Sequence, residues 1–80
     1  MEIHEVLSEL DNLFREKKTE QVEGFLHEKL KEAITEEDTA CMITLLNELI
    51  GYYRDMSRYD RGVLYAERLV ALMNDAGDTG

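Results

Sequence analysis

The chain has 80 residues, 44% of them hydrophobic, and a formal net charge of −9. The hydrophobic content is sufficient for one small folded domain, which excludes a disordered polypeptide. The acidic excess argues against binding to nucleic acid or to an anionic membrane surface, because both require clustered Lys and Arg side chains.

Apolar residues recur at intervals of three and four along the chain, which predicts helices throughout. The first predicted helix runs from about Glu2 to Glu16. Lys17 and Lys18 follow its negative C-terminal end, where cations are favoured. Its apolar stripe comprises Ile3, Val6, Leu7, Leu10, Leu13 and Phe14.

The second predicted helix runs from about Glu20 to Ile34. Thr19 is expected to be its N-cap, because a threonine hydroxyl can accept a hydrogen bond from a free N–H of the first turn. Its apolar stripe comprises Val22, Phe25, Leu26, Leu30, Ala33 and Ile34.

The third predicted helix runs from about Asp38 to Met56, after a polar break with the spacing of a capping box between Thr35 and Asp38. It is apolar around much of its circumference, which predicts that it lies between neighbouring helices. Cys41, the single cysteine, is expected to be a small core residue, and the absence of an internal disulfide indicates a cytoplasmic location. The apolar residues of this helix are Met42, Ile43, Leu45, Leu46, Leu49, Ile50, Tyr52 and Tyr53.

The fourth predicted helix runs from about Tyr59 to Asp75, and Gly77 fits a glycine just past its end. Short turns between helices force consecutive helices to be antiparallel. The sequence therefore predicts an all-α fold of four antiparallel helices, arranged as two stacked αα-hairpins. The residues of the fourth helix expected to face inward are Tyr59, Val63, Ala66, Leu69, Val70, Leu72 and Met73.

Residues 43–76 carry a pattern of large apolar residues, a tight turn and small residues. Its members are Leu46, Leu49, Tyr53, the turn Met56-Ser57-Arg58, Tyr59, Gly62 and Ala66. This stretch resembles a tetratricopeptide repeat (TPR), a helical hairpin of about 34 residues. Gly62 is expected to allow close approach of the two helices, and Tyr53 and Tyr59 to fill space between them. Ile50 and Leu69 depart from the pattern, because the family prefers small residues there.

The resemblance implies a right-handed superhelical repeat. Residues 37–76 form the TPR-like hairpin, residues 1–36 a degenerate N-terminal hairpin that is a cap or an atypical repeat, and residues 77–80 a tail or the start of a further repeat. Val22 and Leu26 precede Gly62 and Ala66 by 40 residues, not 34. Arrays of this kind normally contain three or more units. We therefore expect a longer array, and a homodimer that covers the apolar face of the fourth helix in this form.

The resemblance also implies a non-catalytic scaffold that binds a protein or peptide. In the family the first helix of each unit lines the binding groove, and the corresponding polar residues here share one face of the third helix. They are Thr44, Asn47, Glu48, Gly51, Arg54 and Asp55. The alternative for these residues is a solvated face that binds nothing.

Two other functions are weighed against the scaffold. One is a structural capping or dimerisation segment of a larger protein, with no groove of its own. The other is a small acidic four-helix bundle that binds a metal or a small ligand in its core. Glu23 and His27 form an i, i+4 pair, but nothing brings His4 close to them, and no metal or cofactor site is assigned. Ser8 and Ser57 lie in no nucleophile motif, so no enzymatic activity is expected.

Overall fold

A computed structural model describes the backbone of residues 2–77 and the side chains of residues 2–74. It contains four helices and, within these residues, no strand: α1 (Ile3–Arg15), α2 (Thr19–Thr35), α3 (Thr39–Asp55) and α4 (Tyr59–Gly77). The predicted all-α fold is confirmed, and each helix end lies within two residues of its predicted position. Gly77 belongs to α4 and does not lie just past its end or in a tail, and the rest of the predicted segment 77–80 lies outside the described residues.

Three connections of three residues each join the helices, and they share one backbone geometry. The middle residue of each connection has a left-handed backbone, with φ at 58° for Lys17, 56° for Glu37 and 60° for Ser57. The next residue donates its N–H to a carbonyl five positions back, at 2.9, 2.9 and 2.7 Å respectively. This pattern is the Schellman motif, which ends one helix and turns the chain sharply into the next. The turns therefore repeat every 20 residues.

These turns decide which residues cap the helices. Asp38 is the N-cap of α3, and its carboxylate accepts a hydrogen bond from the Cys41 N–H at 3.2 Å. The predicted capping roles of Thr19 and Thr35 are wrong. Thr19 is the first residue of α2, after an N-cap at Lys18, and Thr35 is the last residue of α2. The N-cap of each following helix lies one residue after the left-handed residue of the turn. The sequence alone did not reveal this position.

The helices pack in chain order. Extensive contacts among the described residues join α1 to α2, α2 to α3 and α3 to α4, but not α1 to α4 as in a closed four-helix bundle. The Tyr52 hydroxyl, near the end of α3, donates to the Thr19 carbonyl, so the end of α3 lies beside the start of α2. The result is a flat row with principal dimensions of 43 × 29 × 15 Å. Because the row is open, its two end helices, α1 and α4, each pack extensively against one neighbour only.

One hydrophobic core fills the space between the helices, and α3 contributes half of its members. This agrees with the prediction that α3 lies between neighbours. The buried residues are Val6, Leu10, Val22, Leu26, Leu30, Ala33, Cys41, Leu45, Leu46, Leu49, Tyr52 and Tyr53. Burial raises the pKa of the Cys41 thiol, as expected for a core cysteine.

Several apolar residues predicted to face inward are exposed. Leu69 and Leu72 of α4 do pack against the core, and so does Tyr65, which was not predicted. The outer side of α4 has no covering helix among the described residues, and Phe14 and Ile34 lie near the C-terminal ends of α1 and α2. The exposed residues are Phe14, Ile34, Tyr59, Val63, Val70 and Met73.

Candidate interaction groove

An apolar groove runs along the open side of α4, and we call it the α4 groove. Its first part lies between α3 and α4, and its second part is a shallow, open depression of about 420 Å³ on the surface of α4. Val63 and Ala66 line both parts, so the groove is continuous. The remaining lining residues are Ile50, Arg54, Tyr59, Gly62, Glu67, Val70, Ala71 and Asn74.

The six α3 residues predicted to line a partner groove lie on the side of the helix opposite its buried residues. Arg54 lines the α4 groove, whereas Glu48 lines a separate depression with α1 residues such as Leu10 and Phe14. Thr44 donates its hydroxyl to the Ala40 carbonyl of its own helix at 3.1 Å. The structure therefore places Arg54 and Glu48 on different surfaces, and the other four residues line neither of them. The other members of the set are Asn47, Gly51 and Asp55, which lie at half-exposed or exposed positions.

The residues that carry the TPR resemblance do not all have the predicted packing roles. Leu46, Leu49 and Tyr53 are buried, but Tyr59 is 64% exposed and does not fill space between helices. A Cβ atom added to Gly62 would lie 3.8 Å from the Tyr53 Cβ, an ordinary contact distance. The close approach of α3 and α4 therefore does not require glycine at position 62. Ala66 is half-buried at the floor of the α4 groove.

A polar network joins α2, α3 and α4, and sequence reasoning did not find it. The Tyr53 hydroxyl donates to Oε2 of Glu23 at 2.6 Å, and Nη1 of Arg61 donates to the same oxygen at 3.2 Å. Nε2 of His27 lies 2.9 Å from the Tyr53 hydroxyl oxygen. The Tyr53 and Tyr65 rings stack with their centroids 5.6 Å apart. The only sequence signal was the Glu23 and His27 spacing, which places both on one face of α2.

The hydrogen-bonding capacity of each group determines which atoms of the network donate and which accept. Because the Tyr53 hydroxyl donates its hydrogen bond to Glu23, Nε2 of His27 must be the donor to the Tyr53 oxygen. The hydrogen bond from Tyr53, and then the positive charge of Arg61, lower the pKa of Glu23. Burial, and then the Glu23 carboxylate, raise the pKa of Tyr53 above the ordinary tyrosine range. Tyr53, Glu23, His27 and Arg61 are thus partners of one another, and the network links α2, α3 and α4.

No metal cluster is found in the described part of the chain, where no three His, Cys, Asp or Glu side chains gather in a geometry that could hold an ion. His27 belongs to the polar network, whereas His4 is exposed at the start of α1. Within the same residues, none of the helices combines the length and the apolar character needed to cross a membrane.

Comparison with models of protein families, with curated proteins and with solved structures gives no match for this chain. The likeness to a TPR therefore depends on the pattern in residues 43–76 alone. One structural observation departs from that likeness, the regular 20-residue spacing of the turns. Two turns make a period of 40 residues, which is longer than the period of a TPR.

Proposed function

We propose that this protein is a non-catalytic, TPR-like interaction scaffold that binds a helix of a partner protein in the α4 groove. The observation that supports this most strongly is the exposure of large apolar side chains along one side of α4. Tyr59 is 64% exposed, Val63 and Val70 are each 57% exposed, and Met73 is 53% exposed. Contiguous apolar surface of this kind marks an interaction site in a soluble protein. A cytoplasmic location belongs to the same proposal and is supported by the single cysteine.

The 40-residue period supports a helix as the occupant of the groove. Residues of α2 shifted by 40 fall on α4, and the four buried residues of α2 correspond to residues on the open side of α4. All four α2 residues lie in the hydrophobic core. The corresponding side of α4 is also apolar, although Gly62 and Ala66 are smaller than their α2 counterparts, and no helix of the described part of the chain covers it. The corresponding pairs are Val22 and Gly62, Leu26 and Ala66, Leu30 and Val70, and Ala33 and Met73.

A binding experiment tests the proposal with a probe taken from the chain itself. A labelled peptide of residues 38–58 contains the α3 helix and its N-cap Asp38, and it is titrated with the full-length protein. We expect saturable binding, weakened about tenfold or more by Val63→Glu, because the carboxylate would be buried in an apolar groove. Leu64→Glu is the matched control, because Leu64 is also exposed but does not line the groove. Equal binding by both variants would contradict the proposal.

The second candidate function, a capping or dimerisation segment, is favoured by the same apolar side of α4. It predicts that two copies cover each other there. Light scattering over a concentration series separates the two functions. A dimer that Val63→Glu dissociates and Leu64→Glu does not would favour the second candidate. A monomer at all concentrations, combined with peptide binding, would favour the scaffold.

A further inference from the structure

We infer that the helix bound in the α4 groove carries an arginine that pairs with Glu67. This inference rests on the proposed function and adds the chemical character of the partner. It follows from the way α3 is held on α2, transferred by 40 residues to α4.

On α2, one side chain of the covering helix lies between two residues a turn apart. Tyr53 of α3 contacts Glu23 at 2.6 Å and His27 at 2.9 Å. The residues of α4 at the corresponding positions are Val63 and Glu67, and both line the α4 groove. A helix seated on α4 as α3 is seated on α2 therefore places one side chain between Val63 and Glu67.

The partner side chain that fits between these two α4 residues has an apolar stem and a cationic end. Val63 is 57% exposed, and Glu67, one turn further along α4, is an exposed residue that lines the same groove. An arginine can lay its methylene groups on Val63 and donate two parallel N–H bonds to the carboxylate, which a lysine cannot do. No residue of the described part of the chain forms an ion pair with Glu67. The neighbouring Arg68 lies over the Tyr65 ring, with its Cζ atom 5.2 Å from the ring centroid.

Charge also argues against a second copy as the occupant. The apolar row of α4 is centred on Ala66, so antiparallel pairing of two α4 helices would bring both Glu67 carboxylates to the middle of the interface. Like charges opposed in an interface disfavour association. Each copy also carries a net charge of −9, which adds long-range repulsion at low salt. A partner helix with a basic residue at this position has neither disadvantage.

Two probe peptides of residues 38–58, which differ only at position 53, test the inference. One carries Tyr53→Arg and the other Tyr53→Glu, and each is titrated with the full-length protein and with its Glu67→Arg variant. We expect the arginine peptide to bind the unaltered protein about tenfold more tightly than the glutamate peptide, and the preference to reverse with Glu67→Arg. Glu28→Arg is the control, because it makes the same charge change on the exposed side of α2.

The outcomes separate the inference from the proposed function. If both peptides bind equally and Glu67→Arg changes neither affinity, the pairing with arginine is overturned and the scaffold stands. If neither peptide binds, both are overturned. A reversal produced equally by Glu28→Arg would also overturn the pairing, because it would reflect net charge alone. A dimer that only Val63→Glu dissociates would identify a second copy as the occupant and overturn the inference.

Discussion

The Tyr53 hydroxyl donates a 2.6 Å hydrogen bond to the Glu23 carboxylate, across the boundary between α3 and α2. Tyr53 is 1% exposed, so this bond is shielded from competing water on the tyrosine side. Arg61 of α4 donates to the same carboxylate oxygen. One carboxylate thus connects three helices, and the stability of the folded protein should depend on it.

Tyr53→Phe is expected to lower the free energy of unfolding by about 1.5 kcal/mol or more, because it removes the hydrogen bond to the charged Glu23 and the one from His27, and leaves the ring in place. Urea denaturation of the full-length protein measures the change. Tyr65→Phe is the matched control, since the Tyr65 hydroxyl lies 3.5 Å from Nδ1 of His27. We expect the control to change the free energy by less than about 0.5 kcal/mol. Equal losses of unfolding free energy in the two variants would show that the bond to Glu23 stabilises the protein no more than the Tyr65 contact does.

Glu23→Gln should change how stability depends on acid. The folded pKa of Glu23 lies below its usual value of 4.5, so its contribution to stability is present above that value and is lost as the pH falls through the folded pKa. The difference in unfolding free energy between the unaltered protein and Glu23→Gln should therefore shrink from about pH 6 to about pH 3. Denaturant titrations across this range measure it. A difference that stays constant with pH would contradict the assigned role of the carboxylate.

Glu37→Gly should stabilise the protein by about 0.5 to 1 kcal/mol, because glycine adopts the left-handed backbone at this position without steric cost. The φ angle of Glu37 is 56°. Glu36→Gly removes the same charge at a position where φ is −84°, and it should give no gain. Thermal unfolding of the two variants measures both effects. A larger gain from Glu36→Gly would show that relief of acidic repulsion outweighs the backbone effect.

Gly62→Ala should be tolerated and should stabilise α4 by up to about 1 kcal/mol, since alanine has the higher helix propensity. The added Cβ would make an ordinary contact with Tyr53. Gly24→Ala is the reference, because nothing lies within 4 Å of the Cβ position there. Similar gains are expected in circular dichroism melts. A loss of thermal stability in Gly62→Ala but not in Gly24→Ala would show that glycine is needed where α3 and α4 approach.

The helical period of the apolar residues was sufficient to predict the number, type and limits of the helices. It also predicted the central place of α3, because a helix that is apolar on several sides needs more than one neighbour. It could not predict the polar network. The bonds of Tyr53 and Tyr65 span 26 to 38 residues of sequence, and the pattern along one helix carries no information about its register against another.

The exposed side of α4 was missed for a related reason. Val63 and Val70 fit the apolar stripe as well as Leu69 does, and only the arrangement of the helices decides which of them a neighbour covers. The residue types at the left-handed turn positions did not identify the turns in the sequence either. Lys17, Glu37 and Ser57 occupy positions where glycine is usual, so the turn positions could be inferred only from the breaks in the apolar stripes.

The packing of helices in chain order also has a kinetic consequence. Each extensive interface joins segments separated by a connection of three residues, so no long loop must close before contacts form. Chains dominated by such local contacts fold quickly. One helix can dock on its predecessor without waiting for the distant end of the polypeptide. Early pairing of α3 with α4 would thus complete the surface of the groove before α1 is in place.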